Sequence, residues 1–287
     1  MTSWMNAVLT LREEMQPLPT EVQPKLEALP RVRAVVFDIY GTLLISGTGD
    51  VGAADTSAGG QCIADAIHAA GVELGERELP SLESLHQAIR SVHSSMLDDT
   101  CPKPEVDIVS VWRSVFASHG IEASTRQCNQ AAAEFEARMN PTWPMPGARR
   151  LLDDLQTRGK ILGIVSNAQH FTLPLVEEIG GVFGVDSVFA ENLCVFSYRY
   201  RQAKPAPRLF DVLSEGLERA GISPNEALYV GNDRLNDIWA ASQAGLRTAW
   251  FTGDRRSLRS RENDTRVADV PHDLILTQLE QLATCFE

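Results

Sequence analysis

The period of the apolar positions changes twice along the chain. Residues 1–30 hold one short helical pattern and then a stretch broken by Pro17, Pro19, Pro24 and Pro30, an N-terminal helical extension and linker. The run "RAVVFD" that follows is continuously apolar until it stops at Asp38, the pattern of a strand buried on both faces. From 47 to 141 the spacing becomes helical: "TSAGGQCIADAIHAAGV", "SLESLHQAIRSVHSSML", "VDIVSVWRSVFASHG" and "STRQCNQAAAEFEARM" carry apolar residues three and four apart, separated by glycine or proline. No strand is expected in this block.

After "NPTWPMPG" helices and strands alternate. "GARRLLDDLQTRG", "LPLVEEIG", "PAPRLFDVLSEGLERAG" and "LNDIWAASQAG" are helical, and "KILGIVS", "SVFA", "ALYVG", "RTAWF" and "DLILT" are short strands. Short apolar strands alternating with amphipathic helices predict an α/β fold, with a parallel sheet covered on both faces. The α/β core is assigned to 31–46 and 142–287, and the all-helical insertion to 47–141.

Composition narrows the function. Apolar residues make up 44% and charged residues 22%, enough apolar material for a sizeable core. The formal net charge of -12 argues against a nucleic-acid partner, which needs a basic face, and is compatible with a bound cation. The helical insertion holds fourteen acidic against six basic residues, which disfavours the approach of highly anionic substrates. No apolar run is long enough to span a membrane, and the N-terminus lacks a leader's basic start and apolar core. The five cysteines are scattered without a CxxC pair, as reduced thiols are, so a cytoplasmic protein is expected.

In a sheet of this kind ligands bind beyond the carboxyl ends of the strands. The polar residues there are Asp38, Tyr40 and Thr42; Ser166 and Asn167; Lys204, leading into the next helix; and Asn232, Asp233 and Asp237. Three carboxylates crowded at one edge repel unless they are protonated or share a cation, and an all-oxygen set favours Mg²⁺. Ser166 and Asn167 have a plain alternative as helix caps, Asp233 has the same alternative, and Lys204 has one as a solvated surface residue. His170 lies close enough in sequence to approach a ligand, and His68, His86, His93 and His119 show no ligand spacing.

The ordered stretches "FDIYGTLL", "GIVSNA", "AKPAPRLF" and "YVGNDRLND" resemble the four motifs of the haloacid dehalogenase-like hydrolases, over roughly Arg33 to Phe251. The resemblance implies a Rossmann-like core with a helical cap of the C1 type, and it makes "GTGDVGAAD" the mobile flap between them. It implies Asp38 as nucleophile, Thr42, Ser166, Asn167 and Lys204 as phosphate contacts, and Asp38, the Tyr40 carbonyl, Asp233, Asp237 and Asn232 around Mg²⁺. The substrate is then a small molecule.

Tyr40 departs from the phosphatase pattern, which has Asp two residues after the nucleophile to move the leaving group's proton. A phenol of pKa near ~10 is poorly matched to that work. Tyrosine here resembles the L-2-haloacid dehalogenase branch, in which halide leaves without a proton and a cap arginine holds the substrate carboxylate. The cap arginines are Arg77, Arg90, Arg113, Arg126 and Arg138. The acidic "GNDRLND" points instead to a Mg²⁺-dependent phosphatase. The phosphatase is the main expectation, and the dehalogenase and a non-catalytic binding protein are the alternatives.

Overall fold

The computed structural model describes residues 3–48 and 56–286, with side chains of the second segment described from residue 59. Most of the predicted flap, 49–55, lies outside the described residues. The strands are β1 (Ala34–Phe37), β2 (Leu44–Ser46), β3 (Thr142–Pro144), β4 (Ile161–Ser166), β5 (Phe189–Phe196), β6 (Ala227–Gly231), β7 (Arg247–Phe251) and β8 (Leu274–Leu276). Six form one parallel sheet in the order β5-β4-β1-β6-β7-β8. Phe37 is in register with Ile164 on one side and Val230 on the other. Asp38, Ser166 and Asn232 therefore leave the three central strands at one edge.

The helices are α1 (Ser3–Thr10), α2 (Thr56–Ala69), α3 (Leu82–Met96), α4 (Ile108–Ser118), α5 (Thr125–Met139), α6 (Ala148–Thr157), α7 (Leu173–Gly180), α8 (Ser197–Tyr200), α9 (Arg208–Arg219) and α10 (Ala240–Gln243). Alternation along β1 divides the core in two. Val35 and Phe37 pack with α6 and α7, whereas Ala34 and Val36 pack with Leu209, Phe210, Leu213 and Leu217 of α9. A strand sandwiched this way has no polar face, which is why its sequence is an unbroken apolar run.

Helices α2–α5 form the cap, packed around the fully buried Trp112 of α4, whose ring lies 5.5 Å from Phe116 and 5.9 Å from Phe135. Ser124 and Gln127 close a reciprocal capping box at the start of α5. At the end of α5, Asn140 Oδ1 accepts from Ser46 Oγ at 2.7 Å. Helix α1 packs on both α5 of the cap and α7 of the core. The chain after it runs along the core, and Lys25 bridges to Ile275 of β8.

Three details differ from the sequence expectation. "LIS" and "TWP" pair antiparallel as β2 and β3, a ribbon that tethers the cap. Three-residue strands are too short to show a period. Strand β5 runs on through "ENLCVF" because its far half is buried against β4. The helix expected at 235–245 opens as a π-turn over Arg234–Trp239, with the amides of Asp237 and Ile238 both reaching the Asp233 carbonyl.

Truncating Trp112 to Ala is expected to cost about 3–5 kcal/mol in urea denaturation. A loss below about 1 kcal/mol would contradict a cap built around this side chain.

Candidate active site

The site is assembled around one buried ammonium. Lys204 is 2% exposed, and its Nζ donates to Asp38 Oδ1 at 2.8 Å, Asp237 Oδ1 at 2.5 Å and the Val165 carbonyl at 3.1 Å. It also lies 2.9 Å from the Tyr229 hydroxyl, which donates to the Val165 carbonyl at 2.7 Å. Burial alone would push the Lys204 pKa down, but Asp237 and Asp38 outweigh it and the net direction is up, so the ammonium stays charged. Burial raises Asp237 above the usual carboxylate range, with Lys204 opposing and Asp38 and Asp233 reinforcing.

Asp38 follows β1 directly. Its Oδ1 takes both Lys204 and Ser166 Oγ, the latter at 2.9 Å, and Oδ2 has no hydrogen bond among the described residues. Asn167 grips Lys204 by its backbone: Oδ1 accepts from the Lys204 amide at 2.7 Å, and Nδ2 donates to its carbonyl at 3.3 Å. It thus holds the lysine rather than capping a helix. Thr42 is fully buried and reaches Asn232 Oδ1 at 3.4 Å, and the Asn232 amide group also donates to the Ser257 carbonyl.

The acidic pair divides its work. Asp237 sits 1% exposed beside Lys204, and its Oδ2 accepts from the Asp233 amide at 2.9 Å. Asp233 caps the turn that presents Asp237, taking the amides of Leu235 at 2.8 Å and Asn236 at 3.1 Å, and it is paired bidentately with Arg261. Gly231 makes the approach of Asp237 possible, because a Cβ there would lie 2.5 Å from Asp237 Cβ. Gly41 has φ +81°, a left-handed conformation that turns the chain sharply after Tyr40.

Tyr40 is half-buried, with its hydroxyl 2.8 Å from Thr172 Oγ1; burial first, and then Glu136, pushes the phenol pKa up. The Tyr40 carbonyl accepts no hydrogen bond from the described residues. A cavity of about 1130 Å³ between core and cap is lined by Asp38, Tyr40, Lys204 and Asp237. Opposite them, α3 contributes His86 and His93, and α5 contributes Glu136. Spacing in the sequence did not point to these three. The available signal for Glu136 was its helical spacing with Ala132, Phe135 and Met139, which line the same cavity. Of the five cap arginines only Arg90 lines the cavity. His170 packs edge-on against Trp4, 4.9 Å between ring centroids, and Arg199 lies over the Phe196 ring.

A sequence model of the haloacid dehalogenase-like hydrolases matches residues 32–245, and the chain belongs to that family of hydrolases. It is 29% identical over 231 residues to a phosphoglycolate phosphatase of Shigella boydii, covering 77% of this chain and 81% of that one. It is 27% identical over 144 residues to a glyceraldehyde 3-phosphate phosphatase of Pyrococcus furiosus, covering 50% and 54%. A 2-haloacid dehalogenase of Pseudomonas syringae shares the fold, with a TM-score of 0.56 at 19% identity over 88% of this chain and 97% of that one. No helix among the described residues is long and apolar enough to cross a membrane.

Two outcomes check this geometry. Gly231→Ala is expected to displace Asp237 and break its contact with Lys204, visible as a lost ion pair in a crystal structure of the variant. Burial raises Glu136 from 4.5 to about 7. A raised carboxyl stabilises fully below its unfolded pKa, and that contribution is lost as pH rises through the folded value. Glu136→Gln should therefore gain on the order of 1–2 kcal/mol over the unchanged protein between pH 5 and pH 8, allowing for its exposed edge. A pH-independent difference in denaturation would contradict the assignment.

Proposed function

We propose that the chain is a Mg²⁺-dependent phosphatase of small phosphorylated metabolites, working through a covalent phosphate on Asp38. The observation that carries this reading is Asp38 itself: one carboxylate oxygen is fixed by Lys204 and Ser166, and the other, on the wall of a cavity, has no hydrogen bond among the described residues. Sequence similarity over most of the chain to a phosphoglycolate phosphatase supports it.

Asp38 Oδ2 attacks phosphorus, the ester P–O bond breaks, and water then cleaves the aspartyl phosphate. Lys204 and Ser166 orient the nucleophile through Asp38 Oδ1 and set positive charge beside the phosphoryl group, Asn167 holds Lys204, and Thr42, fully buried and bonded to Asn232, stands behind the loop and off the cavity wall. The donors fit a hard cation, since the Tyr40 carbonyl, two residues from Asp38 on one loop, is an oxygen without a hydrogen bond among the described residues. Two buried carboxylates, Asp38 and Asp237, face the single charge of Lys204, so a cation is favoured electrostatically. Asp237 and Asn232 are the further candidates to hold it. Asp233, spent on the turn and on Arg261, shapes the loop instead. Bound Mg²⁺ would supply neutralisation of the phosphoryl oxygens.

Carbon–halogen hydrolysis is the second reading, favoured by Tyr40 alone. Purified protein with Mg²⁺ is expected to hydrolyse members of a broad phosphate-ester panel, and Asp38→Asn should lower that rate by roughly 10³-fold or more. Halide release from 2-chloropropionate without turnover of any ester would overturn the phosphatase. An Asp38→Asn variant of unchanged activity would overturn both hydrolytic readings.

A further inference from the structure

Resting on the phosphatase reading, one catalytic role lacks a residue. An alkoxide leaving group needs a proton, and the side chain two residues after Asp38 is a phenol tied to Thr172 at 2.8 Å. The described core offers no replacement. Asp233 is occupied by backbone amides and Arg261, and Asp237 by Lys204, Tyr229 and the Asp233 amide.

The cap does offer one. Glu136 is the single charged residue that α5 places on the wall of the cavity shared with Asp38 and Tyr40. Its Oε1 accepts from Asn140 Nδ2 at 3.0 Å, and its Oε2 has no hydrogen-bond partner among the described residues. The side chain is therefore oriented at one oxygen and available at the other. Glu136 is also tied to the nucleophile loop through Asn140. Asn140, one helical turn away and about 6 Å along the axis, is bonded to Ser46 Oγ at 2.7 Å in β2, and β2 begins at Leu44, which bridges to Tyr40.

We propose that Glu136 replaces the missing core carboxylate as the general acid and base of the reaction. As Asp38 Oδ2 forms its bond to phosphorus and the ester P–O bond breaks, the Glu136 carboxyl gives its proton to the leaving oxygen, releasing an alcohol. The resulting carboxylate takes a proton from water as the water oxygen attacks the aspartyl phosphate. The P–O bond to Asp38 breaks, inorganic phosphate leaves, and Asp38 and protonated Glu136 are regenerated.

The leaving group distinguishes this role from binding or structure. Alkyl phosphates need the proton, whereas p-nitrophenyl phosphate leaves as a stable phenolate without it. The experiment compares kcat/KM, which reports phosphate transfer to Asp38 and not the later attack of water common to both esters, for both ester types in the unchanged protein and in Glu136→Gln, with Mg²⁺ present. Glu136→Gln is expected to lose ~10²–10⁴-fold on an alkyl ester and less than about 10-fold on the nitrophenyl ester. Glu136→Asp, which keeps the carboxyl, should fall between and carries the comparison if the Gln variant does not fold. An equal loss on both esters, or a rise in KM with kcat unchanged, overturns the inference and leaves the phosphatase standing. Failure of the unchanged protein to turn over either ester overturns the phosphatase reading and this inference with it.

Discussion

The site depends on holding one ammonium away from water between two carboxylates. A buried lysine is costly unless each of its protons meets an acceptor, and removing one partner strands a charge. Lys204 meets that condition with Asp38, Asp237 and the Val165 carbonyl, and the Tyr229 hydroxyl closes its remaining side. Those contacts come from β1, β4, β6 and the turn after β6. The register of three adjacent parallel strands is thus what makes the charge tolerable, and the surrounding features serve that register. Gly231 clears room for Asp237, Asp233 builds the π-turn that presents it, and Asn167 fixes Lys204 by its main chain.

The cap is bound to this arrangement at a second place besides the β2–β3 ribbon. Glu105, in the segment before α4, takes Ser197 Oγ at 2.7 Å and Gln169 Nε2 at 3.1 Å, and Gln169 also bonds the Val106 carbonyl at 2.9 Å. Pro104 bridges to Gln202, two residues before Lys204. The chain that delivers the ammonium is therefore also the chain on which the cap rests. Burial raises the Glu105 pKa, so its hydrogen bonds are the means by which a carboxyl is tolerated at this junction.

The core was legible from sequence because fully buried parallel strands are unbroken apolar runs and the polar residues after them can be read off directly. Asp38, Ser166, Asn167, Lys204 and Asp237 lie together for that reason. The ribbon was not legible, since pairing of three-residue strands depends on tertiary contact and not on local pattern. Nor was the partnership of Asp233 with Arg261, which are separated by 28 residues and joined only when the turn after β6 meets the loop after β7. Glu136 was hidden by context. On a helix of an acidic cap, one carboxylate among many reads as solvated until the packing shows which face meets the core.

That packing also changes what the charge of the cap means. The insertion is acidic as a whole, but electrostatic influence through solvent decays over about 8 Å at physiological salt. The field at Asp38 is therefore governed by the cavity wall. Arg90, Lys103, Lys204, Arg259, Arg261 and Arg266 stand there against Asp38, Glu105, Glu136, Asp233 and Asp237, so the wall is nearly balanced where the cap exterior is not. Several of these charges already neutralise one another, as Arg261 does Asp233 and Lys204 does Asp38. An anionic substrate would consequently meet weak repulsion on the approach and a near-neutral wall inside, an arrangement compatible with a compact phosphate ester.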